Sequence, residues 1–364
     1  MNQRTLYKND FDSLLKTLKL EGYHIIAPQV ADNAIVYREL LNFSQLPLGV
    51  SDIQGRGKYA LEVCGHNNWF AWANGPQALK PLLFSANEPL WSATQGEDKT
   101  IHFEQKLPEV KPTAVLGVRA CDLAALALHD KHFLEREYVD PYYQQRRNSL
   151  LLIAVNCSHP SANCFCVSTG DGPFVQQAYD ILLTELDDRF LISSGSEEGE
   201  KICRQLTLDD ATETDLQREE DQQKTAIAVQ KKSLPNVNIA DSLQKKLNHP
   251  QWEVIAEKCL SCGNCTAVCP SCFCHKEIDQ QSLDGENSLH SRHWDSCFSQ
   301  EHGHIHGAHI REETSKQYRQ WLTHKFSAWV EQYGKSGCVG CGRCISWCPA
   351  GIDVTEELSV LCDE

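Results

Sequence analysis

The sequence predicts a chain of mixed α/β character. A mixed α/β domain over residues 1–195 is followed by a polar segment, 196–249, and a compact cysteine-rich domain, 250–364. Three observations carry this. Two short, wholly apolar runs flank a helical run near the middle of the first part. Residues 193–232 are charge-rich, from SSGSEEGE onward, and read as a solvated helix or linker. The last third then holds two copies of one cysteine motif.

The first element is a helix over Asp10 to Leu20, with Phe11, Leu14, Leu15 and Leu18 on one face. Strand-like runs follow at Ala34 to Tyr37 and Trp69 to Trp72. The clearest unit is strand–helix–strand. TAVLGV (113–118) reads as a buried strand, and DLAALAL (122–128) as a helix capped by Asp122. LLIAVN (151–156) is the next strand, parallel to the first through a right-handed crossover if both share a sheet. A hairpin around Asp187-Asp188 completes this domain. In the cysteine-rich part, residues 275–337 read as a helical insertion between the two motifs. Its Ala308 to Tyr333 stretch lacks Gly and Pro and places Tyr318, Trp321, Leu322, Phe326, Trp329, Val330 and Tyr333 at helical spacing. As one helix this stretch spans about 39 Å, with its aromatic stripe read as core.

Composition narrows the function. Lys+Arg number 34 against Asp+Glu 49, a net charge of −15, which argues against a nucleic-acid backbone as main partner. There is no long apolar run for a membrane span and no leader-like N-terminus, so a cytoplasmic protein is expected. No glycine-rich nucleotide loop, GxSxG elbow or HExxH motif occurs in a suitable context.

The 18 cysteines are the informative count, because a reduced compartment has no disulfide use for them. Cys259, Cys262, Cys265 and Cys269-Pro270 form one CxxCxxCxxxCP run, and Cys338, Cys341, Cys344 and Cys348-Pro349 form the second. This is the bacterial-ferredoxin spacing for [4Fe–4S] clusters. The first three thiolates of a run wrap one cube, while the fourth, turned by proline, reaches the other. One cluster is therefore assigned to Cys259, Cys262, Cys265 and Cys348, and the second to Cys338, Cys341, Cys344 and Cys269. Gly263, Gly340 and Gly342 let the backbone approach closely. Zinc sites use paired CxxC or Cys/His knuckles instead.

A third site is expected where the two parallel strands end. Strand 113–118 runs into Cys121 at a helix start, strand 151–156 runs into Cys157, and the following loop supplies Cys164 and Cys166. Ligands bind at that edge of open α/β sheets, and a helix N-terminus favours an anionic group. A third [4Fe–4S] cluster on these four residues is the reading, with zinc or buried structural thiols as alternatives. Cys272, Cys274 and Cys297 lack an evident fourth partner and read as non-ligands, with an additional site as the alternative. Cys64, Cys203 and Cys362 read as isolated thiols, and the His302, His304, His306, His309 run as a solvated turn, with metal binding as the alternative.

The segments GVRACDLAAL (117–126), DPYYQQRR (140–147), NCSHPSANCFC (156–166) and DILLTEL (180–186) carry a resemblance that continues downstream. They are followed by CLSCGNCTAVCPSCFC (259–274), RHWDSC (292–297), RQWLTHK (319–325) and CVGCGRCISWCPAGIDV (338–354). Together they resemble the iron–sulfur β subunit of cytoplasmic NAD(P)-linked [NiFe] hydrogenases, the sulfhydrogenases. The A subunit of anaerobic sulfite reductase is similar. The resemblance covers roughly residues 60–360 and implies an electron relay, with no substrate of its own, between a flavin- and NAD(P)-binding diaphorase-like subunit and a catalytic [NiFe] subunit. The alternatives are the same relay in anaerobic sulfite reductase and a free-standing iron–sulfur enzyme using the N-terminal cluster. The His-rich segment after Cys297 departs from the family pattern.

Overall fold

The computed structural model describes residues 3–363. Its strands, in chain order, are β1 (Arg4–Tyr7), β2 (His24–Ala31), β3 (Ala34–Glu39), β4 (Val50–Gly55), β5 (Lys58–Val63), β6 (Asn87–Gln95) and β7 (Ile101–Gln105). They continue as β8 (Thr113–Val118), β9 (Leu150–Val155), β10 (Ile181–Glu185), β11 (Arg189–Ser194), β12 (Asp209–Asp210), β13 (His275–Gln281) and β14 (Asn287–Trp294). The main sheet has the order β12-β1-β11-β10-β9-β8-β2-β3. At its centre β2, β8, β9 and β10 run parallel, with Thr113 opposite Leu150 and Val115 opposite Leu152.

The central strands are apolar at nearly every position because both faces are covered. Ala114 and Leu116 face one core with Phe11, Leu14, Leu15 and Leu18 of the helix Phe11–Leu20. Val115 and Val118 face the opposite core with Leu123, Leu126 and Phe133 of the helix Ala120–Phe133. The two-residue period divides residues 114–116 between these layers, and a register irregularity at Gly117 (φ 85°) puts Val118 on the Val115 side. The hairpin β10–β11 turns at Asp187-Asp188 as expected.

Four local expectations are corrected. Asp122 does not cap the crossover helix. The extended Arg119 holds the cap position, and Asp122 lies inside the first turn. Trp69 to Trp72 form no strand, because side chains satisfy their backbone groups. The N–H groups of Trp69 and Phe70 donate to the Glu185 carboxylate (2.8 Å each). The carbonyls of Phe70 and Trp72 accept from Arg119 Nη2 (2.7 and 2.9 Å).

The segment 275–337 is not helical throughout. The hairpin β13–β14 opens it and pairs with β6, giving a second sheet of order β13-β14-β6-β7 that ties the segment to N-terminal strands. The helical run begins at Thr314, not Ala308. It comprises a helix Thr314–Thr323, a π turn His324–Ala328 and a helix Trp329–Tyr333, about 30 Å in all. Tyr318, Trp321, Leu322 and Phe326 are core, whereas Val330 is exposed.

The polar segment 196–249 folds into helices Glu197–Cys203, Glu213–Ala228 and Ile239–Lys245. The middle one begins in a Thr212/Asp215 capping box and meets the sheet through polar contacts. Gln222 Nε2 donates to Glu185 O (2.8 Å), and Thr184 Oγ1 donates to Glu219 Oε1 (2.5 Å).

Candidate metal centres

The first motif starts where the helix Gln251–Lys258 ends, with Cys259 as its extended C-cap. Ser261 (φ 48°) and Gly263 (φ 70°) turn the loop so that the helix Asn264–Ala267 begins with Cys265 facing back. Cys259, Cys262, Cys265 and Cys348 line one cavity, closed by Phe298, Tyr318, Trp321 and Ile352. Backbone N–H groups aim at its sulfurs: Ser261 N donates to Cys259 Sγ and Ile352 N to Cys348 Sγ (3.4 Å each).

Cys338, Cys341, Cys344 and Cys269 line a second cavity with Phe165, Phe326 and Lys325. Gly340 N donates to Cys338 Sγ (3.5 Å). Each motif thus sends its last cysteine to the cavity lined by the other motif's first three. Lys325 is buried, with Nζ 3.4 Å from Cys269 Sγ, 3.0 Å from Ser271 Oγ and 3.2 Å from Gly337 O. The π turn brings it there; such bulges often occur at functional positions.

Cys121, Cys157, Cys164 and Cys166 line a third cavity with Arg119, Asn74, Pro160 and Pro173. The parallel pairing of β8 and β9 puts Cys121 and Cys157 at one sheet edge. Arg119 also reaches Asn156 O (3.3 Å), and Gln230 Nε2 donates to Cys166 Sγ (3.3 Å) from beyond the helix Glu213–Ala228.

The three cavities form a row. Cys344 lines both the first and the second, and Cys341 lines both the second and the third. Gly340 and Gly342 make the second contact possible. A Cβ at Gly340 would sit 2.5 Å from the backbone of Cys166, and one at Gly342 2.4 Å from Asn163 O. Phe165 N donates to Gly340 O (2.8 Å) across the same seam. Below it, Arg343 Nη1 and Nη2 clasp the Asp122 carboxylate (2.9 and 2.8 Å), both side chains almost fully buried.

Electrostatics favour metal-bound thiolates over free ones here. Burial pushes the Cys338 and Cys166 thiols up to about 12 and the Cys341 thiol up to about 11. Burial likewise raises Cys121, Cys164, Cys265 and Cys344. Cys269 runs the other way: hydrogen bonding from Cys272, with help from Lys325, holds it well below the usual thiol range. Without bound metal most of these cysteines stay neutral, and bound cationic iron supplies the missing charge.

Residues 258–352 match a family model described as a 4Fe-4S dicluster domain. A curated relative, sulfhydrogenase 2 subunit beta of Pyrococcus furiosus, is 35% identical over 249 residues, spanning 67% of this chain and 72% of that protein. The chain belongs to the sulfhydrogenase β-subunit family. No solved structure matches. For a member of this family, the donor chemistry suits [4Fe–4S] cofactors: apolar cavities, at least four thiols around each, and backbone N–H groups directed at sulfur. No helix among the described residues is long and apolar enough to cross a membrane.

Of the remaining cysteines, Cys64 is exposed, Cys203 is buried in the strand core and Cys362 is buried in the last helix. Lys325, Gln230 and the Arg343–Asp122 pair were not singled out by the sequence. Only a Lys beside apolar helical positions and an Arg within the second motif hinted at them.

Proposed function

We propose that this subunit holds three [4Fe–4S] clusters and relays single electrons between a flavin- and NAD(P)-binding subunit and a catalytic [NiFe] hydrogenase subunit. The observation that carries the reading is the row of three cysteine-lined cavities with shared walls. The ligand sets are Cys259, Cys262, Cys265 and Cys348; Cys338, Cys341, Cys344 and Cys269; and Cys121, Cys157, Cys164 and Cys166. Bound clusters supply one-electron exchange and no substrate chemistry of their own. The chain's part is to hold them close together in a row, with the Cys338 set in the middle, and to keep water out with Phe165, Tyr318, Trp321 and Phe326. The outer sets are then the two ends that meet partners. The sulfhydrogenase relative favours hydrogen over sulfite as the complex's chemistry.

The native complex, purified without oxygen, tests this. About one nickel per complex is expected, as a [NiFe] partner requires, together with a reduced-cluster EPR signal that disappears when the competent partner accepts electrons. Sirohaem in place of nickel transfers the relay to sulfite reductase. Clusters that never reoxidise with a partner present, or turnover by the isolated chain, remove the relay altogether.

Lys325 gives a second test. Its ammonium donates to Cys269 Sγ, and hydrogen bonds and local charge set cluster potentials. Lys325→Met therefore lowers the midpoint potential of the middle cluster alone in an EPR-monitored redox titration. An unchanged potential, or an equal shift in all clusters, contradicts the assignment of Cys269 to the middle set.

A further inference from the structure

One cluster of metal-ligating side chains lies outside the three cavities. We propose that Cys274, Cys297 and His302 form a separate Cys2His site for a thiophilic divalent cation, zinc, at the base of the β13–β14 hairpin. Among the described residues this is the group of His, Cys and carboxylate side chains whose donor atoms all lie within 4.8 Å of one another. Neither cysteine lines any of the three cluster cavities.

The distances suit the ion. The two Sγ atoms are 3.8 Å apart. That is far beyond a disulfide bond of about 2.05 Å. Two zinc–sulfur bonds of about 2.3 Å at the tetrahedral angle place their sulfurs about 3.8 Å apart. The histidine is oriented for the same purpose. His302 Nδ1 lies 3.1 Å from Asp295 Oδ2, and that carboxylate is itself buried and held by Ser299 Oγ (2.6 Å). A carboxylate on one ring nitrogen fixes the tautomer and leaves Nε2 as the donor, the arrangement seen behind zinc-bound histidines.

The backbone brings the donors together independently of any metal. Cys274 directly precedes β13, and Cys297 follows the end of β14 by three residues. Asp295 N donates to Cys274 O (2.9 Å), closing the hairpin base. His302 sits in the one-turn helix Glu301–Gly303. The rest of the His run diverges from it: β15 (His304–Ile305) and β16 (Ala308–His309) form a small exposed ladder. With two thiolates and one imidazole the group lacks the four thiolates of a cubane. It matches a four-coordinate zinc with one position left for water or an exogenous ligand.

The full chain, with its iron–sulfur clusters reconstituted anaerobically, is loaded with zinc, desalted and assayed for zinc and iron together. The expected content is about one zinc per chain, lost in both Cys297→Ala and His302→Gln while iron is unchanged. Cobalt loaded instead gives tetrahedral ligand-field bands with thiolate charge transfer in the unaltered chain, which needs no variant to fold. The proposal is overturned by a cluster-replete chain that takes up neither ion. It is equally overturned if both variants retain zinc, if iron rather than zinc leaves with Cys297, or if peptide mapping finds Cys274 and Cys297 joined as a disulfide in protein purified without oxygen.

Discussion

With three clusters as proposed, Cys157→Ala is expected to reduce the iron content of the anaerobically reconstituted chain from about 12 to about 8 atoms. Cys157 stands directly beyond β9, and its thiol shares a cavity with Cys121, Cys164 and Cys166. Burial holds its pKa above the usual thiol range, so in the absence of metal it is a neutral thiol. Removing it takes one of four donors from that cavity and none from the other two. The EPR signature of the two remaining clusters should persist. Cys203→Ala is the control: that thiol is buried in the strand core, and its loss affects packing without touching iron. An unaltered chain that repeatedly holds about 8 iron atoms, with no change in Cys157→Ala, rules out a third cluster.

Arg343→Met destabilises the protein by about 3–5 kcal/mol, the cost of stranding a buried charge. Arg343 lies in the short helix Arg343–Ser346 within the second motif, and Asp122 lies at the start of the helix that carries Cys121. The pair is bidentate, and the Asp122 carboxylate also accepts from Asn74 Nδ2. Taking away the guanidinium leaves the carboxylate in the seam between the second and third cavities. The midpoint of urea unfolding, followed by tryptophan emission under anaerobic conditions, reports the loss. The double variant Arg343→Met/Asp122→Leu should recover much of it, because neither charge is then stranded. A loss under about 1 kcal/mol in the single variant would show that water reaches the seam and screens the charge.

The features read correctly in the sequence share a physical basis. Each depends on neighbours a few residues away. The apolar runs of β8 and β9 show burial on both faces, whatever lies across from them. The cysteine spacing shows loop geometry: each run's first three thiols, with two residues between neighbours, line one cavity. Gly340 and Gly342 were read as allowing close approach, and their positive φ values of 63° and 71° agree.

The misreadings share the opposite basis. Trp69 to Trp72 have strand composition, but Glu185 and Arg119, distant in sequence, take their hydrogen bonds. Asp122 has the residue type of a helix cap and serves instead as partner to Arg343, 221 residues away. The β13–β14 hairpin is not legible because its largely polar residues lack an apolar alternation, and β14 gains stability from pairing with β6. The hairpin base brings His302 to Cys274 and Cys297, a meeting that no local spacing shows.

By itself, then, the sequence determined that this is an iron–sulfur protein with a parallel α/β core and which thiols belong to each ferredoxin-type run. Those are consequences of local spacing and of apolar period. Only the tertiary structure decided that the three thiol sets stand in a row with Cys341 and Cys344 as shared walls, that Lys325 is the cation beside Cys269, and that a buried ion pair ties the two parts together. Those depend on which segments meet, and a buried charge or thiol acquires its chemistry from whatever group the fold places against it.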